Sequence, residues 1–294
     1  MSFIPKRALT ALAATALVGT MATSAMAAEE KKINIGWTAW SDAETVTKMA
    51  AKVMEDRLGY DVELTLADIA PQYQGVEKGD LDLMMMAWLP DTHADYYEKV
   101  AGKVIDLGPM YTGAKLGWVV PNYIPEDQVK TIADLKKPEV AEKLDNKIQG
   151  IDPGAGLMRL SDEAIKTYGL DYELVSASGA AMTAALDRAI KRNEWIVVTG
   201  WSPHWMFGAY DLRYLEDPEG ALGGSERVHA IARMGLDREH PELFAFLTRF
   251  SLPLEELQAV MAEAEKTSYE DAVAKYIEDH PARVNYWVTG EIKG

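Results

Sequence analysis

The chain has 294 residues, 48% of them hydrophobic, a formal net charge of −16 at pH 7 and no cysteine. The acid excess argues against nucleic acid or an anionic membrane surface as a partner. Without cysteine there are no disulfides, so an apolar core must hold the fold, and this length allows one large domain or two lobes.

Lys6 and Arg7 bring positive charge, an apolar stretch runs from Ala8 to about Val18, and Ala25-Met26-Ala27 follows as a small-x-small pattern. This is the layout of a secretory signal peptide over residues 1–27, with cleavage expected after Ala27. The apolar run is too short and too rich in Ala and Thr to span a bilayer comfortably. Cleavage removes Lys6 and Arg7 but no acidic residue, so the mature chain is more acidic still. A lipoprotein anchor needs an N-terminal cysteine, so the expected product is free in a periplasm, with no direct membrane anchor.

Ile33–Trp37 alternates as a strand. Val46, Met49, Ala50, Val53 and Met54 repeat at helical spacing, which predicts a helix over Ala43–Leu58 stopped by Gly59. Val62, Leu64 and Leu66 alternate as a strand, Gln72–Lys78 reads as a short helix after Pro71, and Leu81–Trp88 as an apolar strand. This alternation implies parallel pairing with helices on both faces. Gly117–Val120 begins a second unit as a strand closed by Pro121. Thr131–Leu144 is mostly helical and interrupted by Pro138, Lys147–Ile151 is a strand, and Leu157–Tyr168 is a helix ending at Gly169. Ala180–Arg192 is a helix, Trp195–Thr199 a buried strand, and Val228–Met234 a strand able to return to the first unit. The tail is helical near Pro241–Phe250, Leu254–Lys266 and Tyr269–Asp279.

The expected fold is α/β with two lobes. Residues 28–112 and 227–294 make lobe 1, and residues 113–226 make lobe 2. The chain crosses between them near Tyr111–Leu116 and near Glu226–Ile231. Two crossings make a hinge, and the cleft between lobes is the expected ligand site. Strand order is not readable from the sequence.

Signs of catalysis are absent: no phosphate loop, no G-x-S-x-G elbow and no cysteine nucleophile. Ser202 and His204 stand two apart, which is not a triad signature. The histidines show no close metal-ligand spacing. Asp91-Thr92-His93-Ala94-Asp95 reads either as metal ligands or, equally well, as a helix start after Pro90. No enzyme activity, metal or cofactor is therefore expected. A secreted hydrolase would need a paired acid and base or a nucleophile, and a sugar-stacking site would want more Asp, Asn and Arg around its rings.

Tryptophan is the unusual feature, with eight residues against five phenylalanines. Trp40, Trp88 and Trp201 each fall at or just after the end of a strand, where a parallel α/β sheet places its ligands. Each alone reads equally as a core residue, but three together point to a cage. A trimethylammonium group has charge but no hydrogen to donate, so indole faces can hold it where hydrogen bonds cannot. Gly150–Gly156 follows a strand and opens a helix. It reads as a plain strand–helix turn or as an anion site on the N–H groups of Gly156 and Leu157. Arg159 occupies the place of the third glycine, which weakens a dinucleotide reading.

Ala39-Trp40-Ser41-Asp42, Ala87-Trp88-Leu89-Pro90-Asp91-Thr92-His93, Gly150–Gly156 and Thr199–Phe207 together resemble the glycine-betaine-binding proteins of ABC transporters, over nearly the whole mature chain. The resemblance implies two lobes closing on a ligand and a prism of Trp40, Trp88 and Trp201 around its trimethylammonium group. It also implies that His93 and the backbone N–H groups of Gly156 and Leu157 hold the carboxylate. An ABC permease and its ATPase are the implied partners, and a small quaternary-ammonium or sulfonium solute the implied ligand. Choline, carnitine, proline betaine and dimethylsulfoniopropionate remain alternatives to glycine betaine. Ser41 precedes Asp42 as in related choline-binding proteins, where such an Asp meets the choline hydroxyl, whereas His93 favours a carboxylated ligand. Asp42 and Trp205 are further candidates for ligand contact, with Trp205 and His204 expected to support the cleft. Trp37, Trp118, Trp195 and Trp287 read as packing residues.

Overall fold

The computed structural model describes residues 1–2 and 31–292. Nearly all of the expected leader, residues 3–27, lies outside the described residues. No described helix is long and apolar enough to cross a membrane.

The chain begins with β1 (Lys32–Trp37), α1 (Ser41–Val53), β2 (Asp61–Leu66), α2 (Ile69–Lys78), β3 (Leu83–Leu89), α3 (Ala94–Val100) and the long strand β4 (Val104–Pro121). Then come α4 (Pro138–Lys143), β5 (Lys147–Gln149), α5 (Gly156–Tyr168), β6 (Glu173–Val175), α6 (Gly179–Arg192), β7 (Val198–Ser202), α7 (Met206–Ala209) and β8 (Leu212–Tyr214). The last elements are β9 (Ser225–Arg233), α8 (Leu236–Glu239), α9 (Pro241–Arg249), α10 (Leu254–Ala264), α11 (Tyr269–Asp279) and α12 (Pro281–Thr289).

The helical repeat read in the first helix is real: Val46, Met49, Ala50, Val53 and Met54 are all fully buried. The α-helix gives way to a single π-type turn over Met54–Leu58, which Gly59 ends in the left-handed region at φ 71°. Gly169 ends α5 in the same way at φ 58°. Some boundaries differ from expectation. Helix α2 starts at Ile69 and takes Pro71 into its first turn, where a missing N–H costs no intrahelical bond. Strand β7 starts at Val198, leaving Trp195 outside it. The short strands β6 and β8 and the helix α12 have no counterpart in the sequence reading, whereas α3 begins close to the helix start read after Pro90.

The strands form one nine-stranded sheet in the order β2-β1-β3-β9-β4-β7-β5-β6, with β8 also on β4. Its two ends are parallel, as the strand–helix alternation requires: β1 with β2 and β3, and β5 with β6 and β7. Its middle is antiparallel and built on β4. The first part of β4 pairs with β9 from Val104 to Lys115, and its last part pairs with β7 from Lys115 to Val119. The register on β9 shifts between Asp106 and Pro109, between Pro109 and Tyr111, and between Thr112 and Ala114. One strand therefore belongs to both halves of the sheet.

The C-terminal helices return to the first half, where α10 and α11 pack on α1, and α9 packs on β4 and α12. Trp287 of α12 lies 4.7 Å from Phe250, ring centre to ring centre, and its Nε1 donates to the Ser251 carbonyl at 3.0 Å. Trp118 of β4 is fully buried and donates from Nε1 to Ser161 Oγ of α5 at 2.9 Å, tying the second half of the sheet to its helix layer. Trp118→Ala should cost about 3–5 kcal/mol by opening a cavity and orphaning Ser161. Urea unfolding measures this, and a loss under about 1 kcal/mol would contradict the packing role.

Candidate functional site

Trp40, Trp88 and Trp201 meet around one small cavity. Thr92, His93, Leu116, Ile151, Ala155, Gly156 and Leu157 complete its wall. Trp40 directly precedes α1, whereas Trp88 and Trp201 stand next to last in β3 and β7 rather than in loops. In those strands Trp88 is in register with Val228 of β9, and Trp201 with Leu116 of β4. The rings of Trp40 and Trp201 are 6.4 Å apart and inclined at 58°, forming a corner of two aromatic faces. All three indoles are nearly closed off from solvent. Trp37, Trp118, Trp195 and Trp287 are not among the lining residues.

Two of these indoles spend their N–H on a carboxylate. Trp40 Nε1 donates to Asp152 Oδ2 at 2.9 Å, and Trp201 Nε1 donates to Asp42 Oδ1 at 2.9 Å. Tyr111 of β4 donates its hydroxyl to the other oxygen of Asp42 at 2.7 Å. Asp42 is fully buried, and burial pushes its pKa up, although the bonds from Tyr111 and Trp201 and nearby backbone N–H groups pull it down. Asp42 is therefore behind the cage rather than on its wall. Trp205 is also outside the cavity, half-buried and packed against His204 at 5.4 Å and Tyr210 at 6.1 Å. His204 itself sits edge-on to Trp201 at 4.5 Å, with its Nδ1 accepting the Met206 N–H at 3.0 Å.

His93 supplies the polar point in an otherwise apolar wall. Its Nδ1 accepts the Trp88 backbone N–H at 3.1 Å. Burial, with a smaller contribution from the positive charge of Arg159, lowers its pKa to about 3; the Met86 carbonyl acts weakly the other way. A neutral imidazole whose Nδ1 accepts must carry its proton on Nε2. That Nε2 is buried and has no partner among the described residues. His93 thus presents a neutral N–H donor that no described group accepts.

The first turn of α5 adds donors of its own. Gly156 and Leu157 open the helix, where no intrahelical acceptor exists for their N–H groups, and no side chain caps it. Glycine is required at this point by close approach: a Cβ on Gly156 would lie 2.2 Å from the Thr92 carbonyl oxygen. The segment carrying Thr92 and His93 is held there from several sides. Glu226 of β9, itself buried, accepts the Thr92 N–H at 2.8 Å and the Thr92 hydroxyl at 2.6 Å. Arg159 of α5 donates to the carbonyls of Asp91 and Thr92 and pairs with Asp95 at 3.2 Å, while Tyr96 donates to the Gly154 carbonyl at 2.7 Å. Residues 91–93 thus lead into α3, whose first turn holds Ala94 and Asp95. Among the described residues no group of three or more His, Asp or Glu is placed to hold a metal ion.

Sequence reading missed Tyr111, Asp152, Glu226 and Arg159. Their partners stand 69, 112, 134 and about 68 positions away, so no local spacing marks them.

Two outcomes follow from this geometry. A histidine in the unfolded chain binds a proton below about 6.5, but His93 and His204 in the fold do so only near about 3. Between those values the unfolded state holds more protons, so stability falls as pH drops through the window, each histidine contributing up to about 1.4 kcal/mol per pH unit. Urea unfolding of His93→Gln and of His204→Gln between about pH 6 and 4.5 should show a slope reduced by about one proton in each; an unchanged slope would contradict buried neutral rings. Gly156→Ala should lower thermal stability and prevent the approach of Thr92 to α5, because the clash is with backbone. Limited proteolysis of residues 91–96 should then speed up, and an unchanged cutting rate would contradict the close approach.

Residues 31–279 match the family described as the substrate-binding domain of ABC-type glycine betaine transport systems. The glycine betaine/carnitine transport binding protein of Listeria monocytogenes is 40% identical over 158 residues, 52% of this chain, and the match spans about half (53%) of that relative's length. Lactococcal OpuAC, solved closed and complexed with glycine betaine, is 38% identical with a TM-score of 0.82, covering 88% of this chain and 100% of its own. The glycine betaine/L-proline-binding protein of Borrelia burgdorferi is 34% identical with a TM-score of 0.82, covering 88% of this chain and 97% of its own. A choline-binding protein in complex with choline is 25% identical with a TM-score of 0.81, covering 89% and 92%. These relatives are transport binding proteins, and the fold they share with this chain is the two-lobed α/β fold of periplasmic binding proteins. The chain belongs to the family of substrate-binding domains of ABC-type glycine betaine transport systems.

Proposed function

We propose that this chain is a non-catalytic periplasmic receptor that binds glycine betaine and delivers it to an ABC permease driven by its ATPase. The observation that carries the reading is the pairing of two unlike ends in one cavity. Three indoles line the cavity, and so does His93, whose buried Nε2–H has no partner among the described residues. A trimethylammonium group suits the first end because it offers charge without a donor, and each cation–π contact is worth about 0.5–2 kcal/mol. A carboxylate suits the second, taking the His93 N–H and the free N–H groups of Gly156 and Leu157.

In this reading Trp40, Trp88 and Trp201 are the cage, and Asp42 and Trp205 act from behind it. Residues 28–112 and 227–294 form one lobe and residues 113–226 the other, with β4 and β9 as the crossings. Ligand bridging both lobes favours the closed form by its differential affinity. Residues 1–27 direct secretion.

Carnitine, proline betaine and dimethylsulfoniopropionate share the cation and the carboxylate, so they are ligands of the same kind. Choline has no carboxylate, and the Asp42 oxygens that its hydroxyl would seek already accept from Tyr111 and Trp201. Isothermal titration of the purified protein should give one-to-one binding of glycine betaine with a change in tryptophan fluorescence, and weaker binding of choline. Absence of both signals with glycine betaine would overturn the proposal. Trp88→Ala should weaken binding at least tenfold, about 1.4 kcal/mol; unchanged affinity would remove Trp88 from the cage.

A further inference from the structure

The two cage indoles that donate to carboxylates do so in opposite directions across the cleft. Trp40 leads into α1, in the first half of the sheet, and its carboxylate is Asp152, in the loop between β5 and α5. Trp201 lies on β7, in the second half, and its carboxylate is Asp42, in the first turn of α1. Each side of the cleft thus contributes one indole and one acceptor. Neither acid is among the residues that line the cavity.

An indole has a single polar atom, and holding its N–H limits the ring to rotation about that axis. A carboxylate accepting that N–H also does something a neutral acceptor does not. Charge-assisted bonds are shorter and stronger, and they polarise the donor. Electron density pushed from the N–H edge toward the ring face deepens the negative face that attracts a cation. The acid's own charge acts in the same direction through a low-dielectric site. A group without charge gains nothing from either effect.

We propose that Asp42 and Asp152 are positioning residues that set the cage's preference for a charged head over a neutral one of the same shape, each by accepting a cage indole's N–H from across the cleft. This rests on the reading of the cavity as a site for glycine betaine. Tyr111, which holds the second oxygen of Asp42, keeps that carboxylate turned toward Trp201.

The test compares glycine betaine with 3,3-dimethylbutanoate, which replaces the quaternary nitrogen by carbon and keeps the shape and the carboxylate. Affinities are read by titration and by competition for wild type, Asp152→Asn and Asp42→Asn. Asparagine keeps the size and can still accept the indole N–H, but carries no charge. Betaine should weaken about tenfold or more in each variant and dimethylbutanoate less than about threefold, so the ratio between them falls. Equal weakening of both ligands, or no change in either, would overturn the inference. Asp152 is only half-buried and decides the matter if Asp42→Asn fails to fold. Failure of the wild type to bind betaine at all would instead overturn the functional reading beneath it.

Discussion

A buried hydrogen-bond donor without an acceptor is the constraint around which the site is arranged. Leaving one unpaired costs about 1–3 kcal/mol, and His93 Nε2 is such a donor inside an almost wholly apolar wall. The Trp88 N–H forces the proton onto that nitrogen, and burial keeps the ring neutral. The fold then invests further contacts in holding the segment still: Glu226 grips Thr92 from β9, Arg159 grips the carbonyls from α5, and Gly156 leaves room for the Thr92 backbone to approach. An uncommitted donor held from three directions is what a site awaiting an anionic acceptor requires.

The aromatic end obeys the opposite rule. There the indole N–H groups of Trp40 and Trp201 are satisfied by Asp152 and Asp42, so what they present to the cavity is ring face. In the proposed reading, the indole N–H groups are turned away from the end that takes the cation, while His93 offers its N–H at the end that takes the carboxylate. The same cross-cleft bonds make the cage a property of the two halves together. Strand β4 is shared between both halves and irregular in its pairing with β9 around Tyr111.

Much of this was legible in the sequence where the signal is local. The repeat from Val46 to Met54 announces α1, the glycines at 59 and 169 announce its stop and that of α5, and strand–helix alternation announces parallel ends of a sheet. The motifs that hold Trp40, Trp88, Trp201, Gly156 and Leu157 are local, His93 follows from the family resemblance, and all six line one cavity. That they sit at strand ends was visible, although Trp88 and Trp201 lie within their strands and not beyond them. What was not legible depends on contacts between distant segments. The early part of β4 alternates poorly because bulges reset its register, so only Gly117–Val120 reads as strand. Asp42 reads as a possible ligand contact from its place two positions after Trp40, and no local spacing marks its bond with Trp201, 159 positions away. Asp152 read as part of a glycine-rich turn, and nothing nearby marks it as the acceptor for Trp40.

The most direct measurement is a crystal structure of the protein grown with glycine betaine. The account predicts the quaternary nitrogen within about 6 Å of the ring centres of Trp40, Trp88 and Trp201, the carboxylate accepting from His93 Nε2, and Asp42 and Asp152 still bonded to their indoles. A ligand seated elsewhere, or one whose carboxylate leaves His93 Nε2 unpaired, would contradict it.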